Sequence, residues 1–311
     1  MSIHAIRGII PPVITPMDAA GEVDTASLRR VVRRMCDAGV HGLFALGSSG
    51  EVAYLNSIKR RQVLEIIVEE SAGKIPVLAG CIDMTQERVI EAVRVAEAVG
   101  AQGVVVTAPF YAKNDLQEIA DHFRAIAHAT KLDIWAYDIP ARIGLKLPAH
   151  LLISLALEGV IKGVKDSSGD DPGFRRLVLQ NRTAGNPLSL FSGHEVVVDG
   201  MFLLGADGAV PGLANVDPYR YVQLWNASER GDWDQVRQLQ DELAALFEIV
   251  FQASGRSLDA AGVGAFKVAL HHLNVLDSAT MAAPVKELDG AARNAIELIV
   301  ESVGVSSTVL R

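Results

Sequence analysis

A chain of 311 residues, half of them hydrophobic and 21% charged, has enough apolar surface for a large core and excludes a disordered or fibrous protein. The formal net charge of −8 is spread along the chain, and no basic patch interleaved with aromatics is present, which argues against a nucleic-acid partner. The two cysteines, Cys36 and Cys81, make neither a disulfide framework nor a zinc spacing. The opening segment "MSIHAIRGIIPPVITP" lacks the signal-peptide pattern, and no apolar run reaches the roughly 20 residues of a membrane span, so a cytoplasmic protein is expected.

Along the chain, short β-rich runs alternate with longer helical patterns. The predicted strands are 8–15, 42–47, 76–80, 103–109, 133–140, 161–167, 188–193 and 208–215. Between them lie segments such as "TQERVIEAVRVAEAVG", in which Val89, Val93, Ala96 and Val99 recur at helical spacing with charges on the other side. Gly39, Gly100 and Gly205 each follow an apolar helix, where glycine supplies a left-handed cap, and the next strand begins within a few residues. Strand–helix alternation with such short returns implies a parallel sheet, and eight repeats count out a (β/α)8 TIM barrel. An open doubly wound sheet is the competing fold, but "ITPMDAAG" is not the glycine-rich turn expected after its first strand. After residue 230 the pattern is purely helical, over about 232–253, 258–273 and 289–303. The expected organisation is a barrel over 1–230 carrying the active site and a C-terminal helical domain over 231–311.

In such barrels the chemistry lies at the C-terminal strand ends. There "GVIKGVKDSSGD" (159–170) runs an apolar strand into Lys165. Period-two alternation puts Ile161, Gly163 and Lys165 on one face, so an inward Gly163 leaves room beside an inward Lys165. Two readings compete: a lysine that snorkels out of the strand end, or a buried free amine of the kind that Schiff-base chemistry requires. Tyr137 ends the neighbouring strand and reads either as a core tyrosine or as a proton relay to that amine. In "GSSGE" (47–51), small residues gather amides and two hydroxyls before a helix, which makes either a carboxylate cradle or an ordinary serine-capped turn. His194 and Glu195 have neither metal-pair nor general-base spacing, and no metal or cofactor is expected. A lysine, a neighbouring tyrosine and a hydroxyl-rich anion loop together suit imine chemistry on a 2-oxo acid.

The motifs "GIIPPVITP", "GLFALGSSGE", "TAPFY", "AYDIPARIG", "GVKDSSGD" and "GADGAVPGLAN" resemble those of the dihydrodipicolinate synthase and N-acetylneuraminate lyase family of class I pyruvate aldolases, over nearly the whole chain. The resemblance implies an eight-stranded barrel with a helical C-terminal domain, assembled as a homotetramer of tight dimers. It makes Lys165 the Schiff-base residue and Tyr137 the proton relay. Ser48 links that tyrosine to a second, Tyr111, which in relatives reaches the neighbouring subunit's site. By the same resemblance Ser48 and Ser49 should hold the pyruvate carboxylate, and Gly193 and Val210 should line the substrate pocket. Arg142 matches the arginine that takes the carboxylate of aspartate semialdehyde.

The partners implied are pyruvate and a small aldehyde or 2-oxo acid. The synthase-type condensation of pyruvate with aspartate semialdehyde leads on the strength of Arg142. Against it, "GSSGE" replaces a double-threonine form, and Ile143 stands where threonine often follows the arginine. "SGHEV" does not reproduce the sugar-binding Asp-Glu pair of sialic acid lyases, and Gly212 stands where they have serine. A sugar-acid aldolase or dehydratase remains open, as does a protein that binds a 2-oxo acid without turning it over.

Overall fold

The computed structural model describes residues 6–305. Eight parallel strands, β1 (Gly8–Ile9), β2 (Leu43–Ala45), β3 (Val77–Gly80), β4 (Gly103–Thr107), β5 (Asp133–Asp138), β6 (Gly163–Asp166), β7 (Ser189–Ser192) and β8 (Gly208–Ala209), run in hydrogen-bonded order from β2 through β8 to β1. The seam between β1 and β2 closes just beyond β1. There Pro12 bridges Phe44, with Phe44 N–H donating to Pro11 O and Val13 N–H to Phe44 O, each at 2.9 Å. The sheet is therefore a closed (β/α)8 barrel.

The helices that return the chain are α1 (Thr25–Ala38), α2 (Ser57–Ser71), α3 (Gln86–Val99), α4 (Leu116–Ala129), the single turn α5 (Pro140–Ile143), α6 (Ala149–Leu157), α7 (Asp171–Thr183), α8 (Val198–Leu204) and α9 (Pro218–Glu229). Asp24, Thr85, Asp115 and Asp170 cap four of these by accepting a first-turn N–H. Gly39, Gly100 and Gly205 end α1, α3 and α8 at φ of 79°, 91° and 106°, the left-handed caps foreseen from their positions. The C-terminal helices are α10 (Trp233–Phe247), α11 (Leu258–His272) and α12 (Gly290–Val303), with a 3-10 segment over Glu248–Gln252 continuing from α10. Among the described residues, no helix is long and apolar enough to cross a membrane.

Two expected strands are much shorter than their apolar runs. After β1 the chain meets Pro11 and Pro12, which have no N–H for a ladder. After β8, Pro211 does the same, and Gly212–Asn215 form a 3-10 turn whose Gly212 and Leu213 amides are taken by Glu195. The barrel interior is filled by Ile10, Phe44, Leu78, Val105, Trp135, Tyr137, Phe191 and Val210. Gly163 does face inward: a Cβ there would meet the Trp135 indole at 2.6 Å, so the absent side chain is what lets the ring lie across β6.

Candidate active site

The site is assembled in one row across four strands. Thr107 on β4, Tyr137 on β5, Lys165 on β6 and Phe191 on β7 are successive register partners at the C-terminal rim. Lys165 is buried, and its Nζ donates to the Tyr137 hydroxyl at 3.1 Å. Its Nζ also lies 4.2 Å from the Tyr137 ring centroid and 5.0 Å from that of Phe44, so aromatic faces rather than water surround it. Of the two readings of Lys165, snorkelling to solvent is thereby excluded.

Tyr137 sits edge-to-face on Phe44 with centroids 6.0 Å apart. Burial pushes its phenol pKa up, but the Lys165 charge and hydrogen bonds from Lys165, Ser48 and Ser167 outweigh burial and leave it below the ordinary value. A phenol so placed is suited to proton transfer with the neighbouring amine. Gly193 makes the arrangement possible from the other side, since a Cβ there would collide with the Ser167 hydroxyl. Val210 is buried in the same interior cluster as Tyr137.

The "GSSGE" turn caps this row. It is bracketed by Leu46 and Glu51, both left-handed without being glycine (φ 56° and 57°), a costly conformation that the surroundings must hold. Ser48 faces Tyr137, while Ser49 faces the turn after β8, its Oγ lying 3.4 Å from where a Gly212 Cβ would stand. Tyr111 is not part of the buried cluster. It is 95% exposed, at φ 75°, on the loop after β4.

Sequence reasoning passed over several residues here. On the outer face of the same strand ends, Lys146 bridges the buried Asp138 and Asp166, the latter at 2.9 Å, and Asp166 also accepts from Ser168 N and Oγ at 2.8 and 2.6 Å. Period-two alternation was the available signal, because it places an acid immediately after Tyr137 and another immediately after Lys165. Burial pulls the Lys146 ammonium down, yet Asp166 and Asp138 outweigh it and hold its pKa above the ordinary value. Glu195 fastens the turn after β8, accepting from Gly212 N at 2.7 Å, Leu213 N at 3.0 Å and the Tyr221 hydroxyl. Burial pushes its pKa up, opposed by the two amides and by Lys165.

A cavity of about 190 Å³ opens beside Tyr137, lined among others by Ser48, Tyr54, Thr107, Phe110, Arg142 and Asp259. Arg142, on α5, pairs through both terminal nitrogens with Asp259 of α11, NH1 at 3.1 Å. The Tyr54 hydroxyl donates to the same carboxylate at 2.6 Å. The Arg142 hydrogen bond holds the Asp259 pKa below the usual range, and the bond to Asp259 pushes the Tyr54 phenol up to about 12. Among the described residues, no group of three His, Cys, Asp or Glu is placed to hold a metal ion.

The model of the dihydrodipicolinate synthetase family matches residues 5–303. The chain belongs to that family. Its enzymes are lyases and synthases of the class I, Schiff-base type, and this chain is an enzyme of that type. Similar relatives include an uncharacterized DapA-like lyase of Halobacterium salinarum, 33% identical over 96% of this chain and 95% of its own length. A 4-hydroxy-tetrahydrodipicolinate synthase of Phenylobacterium zucineum is 31% identical over 96% of this chain and 98% of its own. Among solved structures, the family member YagE of E. coli K12, in complex with pyruvate, superposes with a TM-score of 0.90 at 26% identity, covering 96% of this chain and 99% of that one.

Proposed function

We propose that the chain is a pyruvate-dependent aldolase or synthase in which Lys165 forms the imine. The observation that carries this reading is the buried Lys165 amine within 3.1 Å of the Tyr137 hydroxyl at the barrel rim. The amine adds to the pyruvate carbonyl, and the resulting carbinolamine loses water to give an imine, with Tyr137 passing the proton to the departing hydroxyl. Removal of a methyl proton gives the enamine. Its carbon attacks an aldehyde, forming the carbon–carbon bond while the aldehyde oxygen takes a proton, and hydrolysis of the new imine frees the lysine. The reverse order cleaves a 2-oxo acid.

Ser48 and Ser49 hold the pyruvate carboxylate in this reading, with Gly193 and Val210 as walls of the pocket. Ser48 is already within hydrogen-bonding reach of Tyr137, which supports its double role. The exposure of Tyr111 suits a residue that completes a neighbouring subunit's site in the homotetramer implied by the resemblance.

For the second substrate, the relatives' names support a synthase-type condensation with aspartate semialdehyde, for which Arg142 would take the carboxylate. One observation favours the alternative, an aldolase or dehydratase acting on 2-oxo-3-deoxy sugar acids: the Arg142 guanidinium is already engaged by Asp259. The pyruvate half-reaction is tested without choosing between them. In deuterated water, enamine formation exchanges the pyruvate methyl protons, read as loss of the methyl signal by NMR. Fast exchange by the parent and none by Lys165→Ala is expected; equal rates in the two would refute the assignment.

A further inference from the structure

We infer that Asp259 is a specificity-determining residue: by neutralising Arg142 at the acceptor end of the cavity, it selects uncharged, hydroxyl-bearing aldehydes and excludes those that carry a carboxylate. This role rests on the pyruvate-imine reading above and concerns the half of the reaction that follows it.

Three elements far apart in the chain converge on this point. Tyr54 comes from the 3-10 turn Val52–Tyr54 directly after the "GSSGE" loop, Arg142 from α5, and Asp259 from the first turn of α11, beyond the barrel. All three line the same cavity as Tyr137. The pairing is not a buried brace, since the Arg142 side chain is 45% exposed and that of Asp259 11% exposed. Nor is it a loose surface contact, because both terminal nitrogens of the guanidinium engage the carboxylate and Tyr54 adds a third hydrogen bond.

The charges around the cavity balance. Glu51, the other acid in its wall, is neutralised by Lys267, and Arg142 is neutralised by Asp259. A substrate carboxylate approaching Arg142 would meet the carboxylate of Asp259 at the same guanidinium and would have to displace it. A hydroxyl group meets no such opposition. Arg142 spends two of its five N–H groups on Asp259 and keeps donors to spare, while the Tyr54 and Asp259 oxygens retain lone pairs as acceptors. Across the cavity, the buried Thr107 hydroxyl has no hydrogen-bond partner among the described residues. Such mixed donors and acceptors match groups that both give and take hydrogen bonds, as sugar hydroxyls do.

The test compares condensation of pyruvate with glyceraldehyde against succinic semialdehyde and aspartate semialdehyde, in the parent and in Asp259→Asn. The parent is expected to favour glyceraldehyde. Asp259→Asn keeps the shape and a hydrogen bond but frees the guanidinium charge, so kcat/KM for the two carboxylate-bearing aldehydes rises tenfold or more relative to glyceraldehyde. Adding Arg142→Gln to that variant removes the gain, and methyl-proton exchange on pyruvate is read alongside in each variant to follow the imine half-reaction separately from the choice of aldehyde. A parent that prefers aspartate semialdehyde, or an Asp259→Asn variant with normal exchange and an unchanged preference, overturns the role of Asp259 and leaves the imine chemistry standing. A parent without exchange overturns the pyruvate reading itself.

Discussion

Replacing Lys267 by methionine should couple the stability of the protein to its active-site loop. Lys267 on α11 is 0% exposed and Glu51 of the "GSSGE" turn is 1% exposed, and the two form an ion pair. Lys267 also donates to Thr280 O at 2.8 Å, and the second Glu51 oxygen accepts from Ala282 N at 2.8 Å. Removing the ammonium leaves a buried carboxylate with one amide for company, and removing one partner of a buried pair costs about 3–5 kcal/mol. The retained Ala282 amide favours the lower end of that range, and the orphaned Thr280 carbonyl, worth about 1–3 kcal/mol, favours the upper. Against a total stability of about 5–15 kcal/mol, such a loss would bring the protein close to unfolding. Because Glu51 N–H donates to Ser48 O at 3.0 Å, turnover should fall with it. Urea unfolding followed by tryptophan fluorescence and by far-UV circular dichroism measures the loss. The two probes should move together if the C-terminal helices and the barrel unfold as one unit. The double variant Glu51→Gln with Lys267→Met should recover part of the loss, because no unpaired charge remains. A cost below about 1 kcal/mol for Lys267→Met, or single-variant costs that simply add, would refute the reasoning.

Tyr137→Phe removes the hydroxyl that contacts Lys165 while keeping the ring against Phe44. Steady-state kinetics should show kcat lower by about 10²–10⁴-fold, with pyruvate binding retained. Gly163→Ala drives a methyl group to 2.6 Å from the Trp135 indole, and such overpacking costs about 1–3 kcal/mol, visible as a lower melting temperature together with reduced turnover as the ring shifts beneath Lys165. Burial pushes the His122 imidazole down to about 4 in the folded chain, from an ordinary value of 6.5. The unfolded chain therefore takes up the proton first as pH falls, and stability is lost between about pH 6.5 and 4, by about 3 kcal/mol in all. His122→Leu should flatten that part of the stability–pH curve, as measured by urea midpoints.

The barrel was legible because its signals are local. The helical spacing of Val89, Val93 and Ala96 and the glycine caps at 39, 100 and 205 need only a few neighbouring residues to be read. Lys165 was legible for a related reason: alternation through Gly163 places its side chain inside, where an ammonium is out of keeping with its surroundings. The ends of the barrel were harder, because the apolar runs at 8–15 and 208–215 look like full strands until Pro11, Pro12 and Pro211 are weighed as missing donors. Asp259, Tyr54 and Lys267 were not legible at all. Lys267 lies in the apolar run "VGAFKVAL", which reads as an ordinary core helix, and its partner Glu51 is 216 residues away. Asp259 meets Arg142 across 117 residues, and no local pattern carries a contact made by packing a later helix over a barrel mouth.

The central claim, that Lys165 is the imine-forming residue, is tested most directly by borohydride reduction in the presence of pyruvate, followed by digestion and peptide mass measurement. The adduct should fall on Lys165 alone and disappear in Lys165→Ala. Lys146 nearby should stay unmodified, since Asp166 and Asp138 hold its ammonium protonated. An adduct on Lys146 or another lysine, or none on any, would contradict the account.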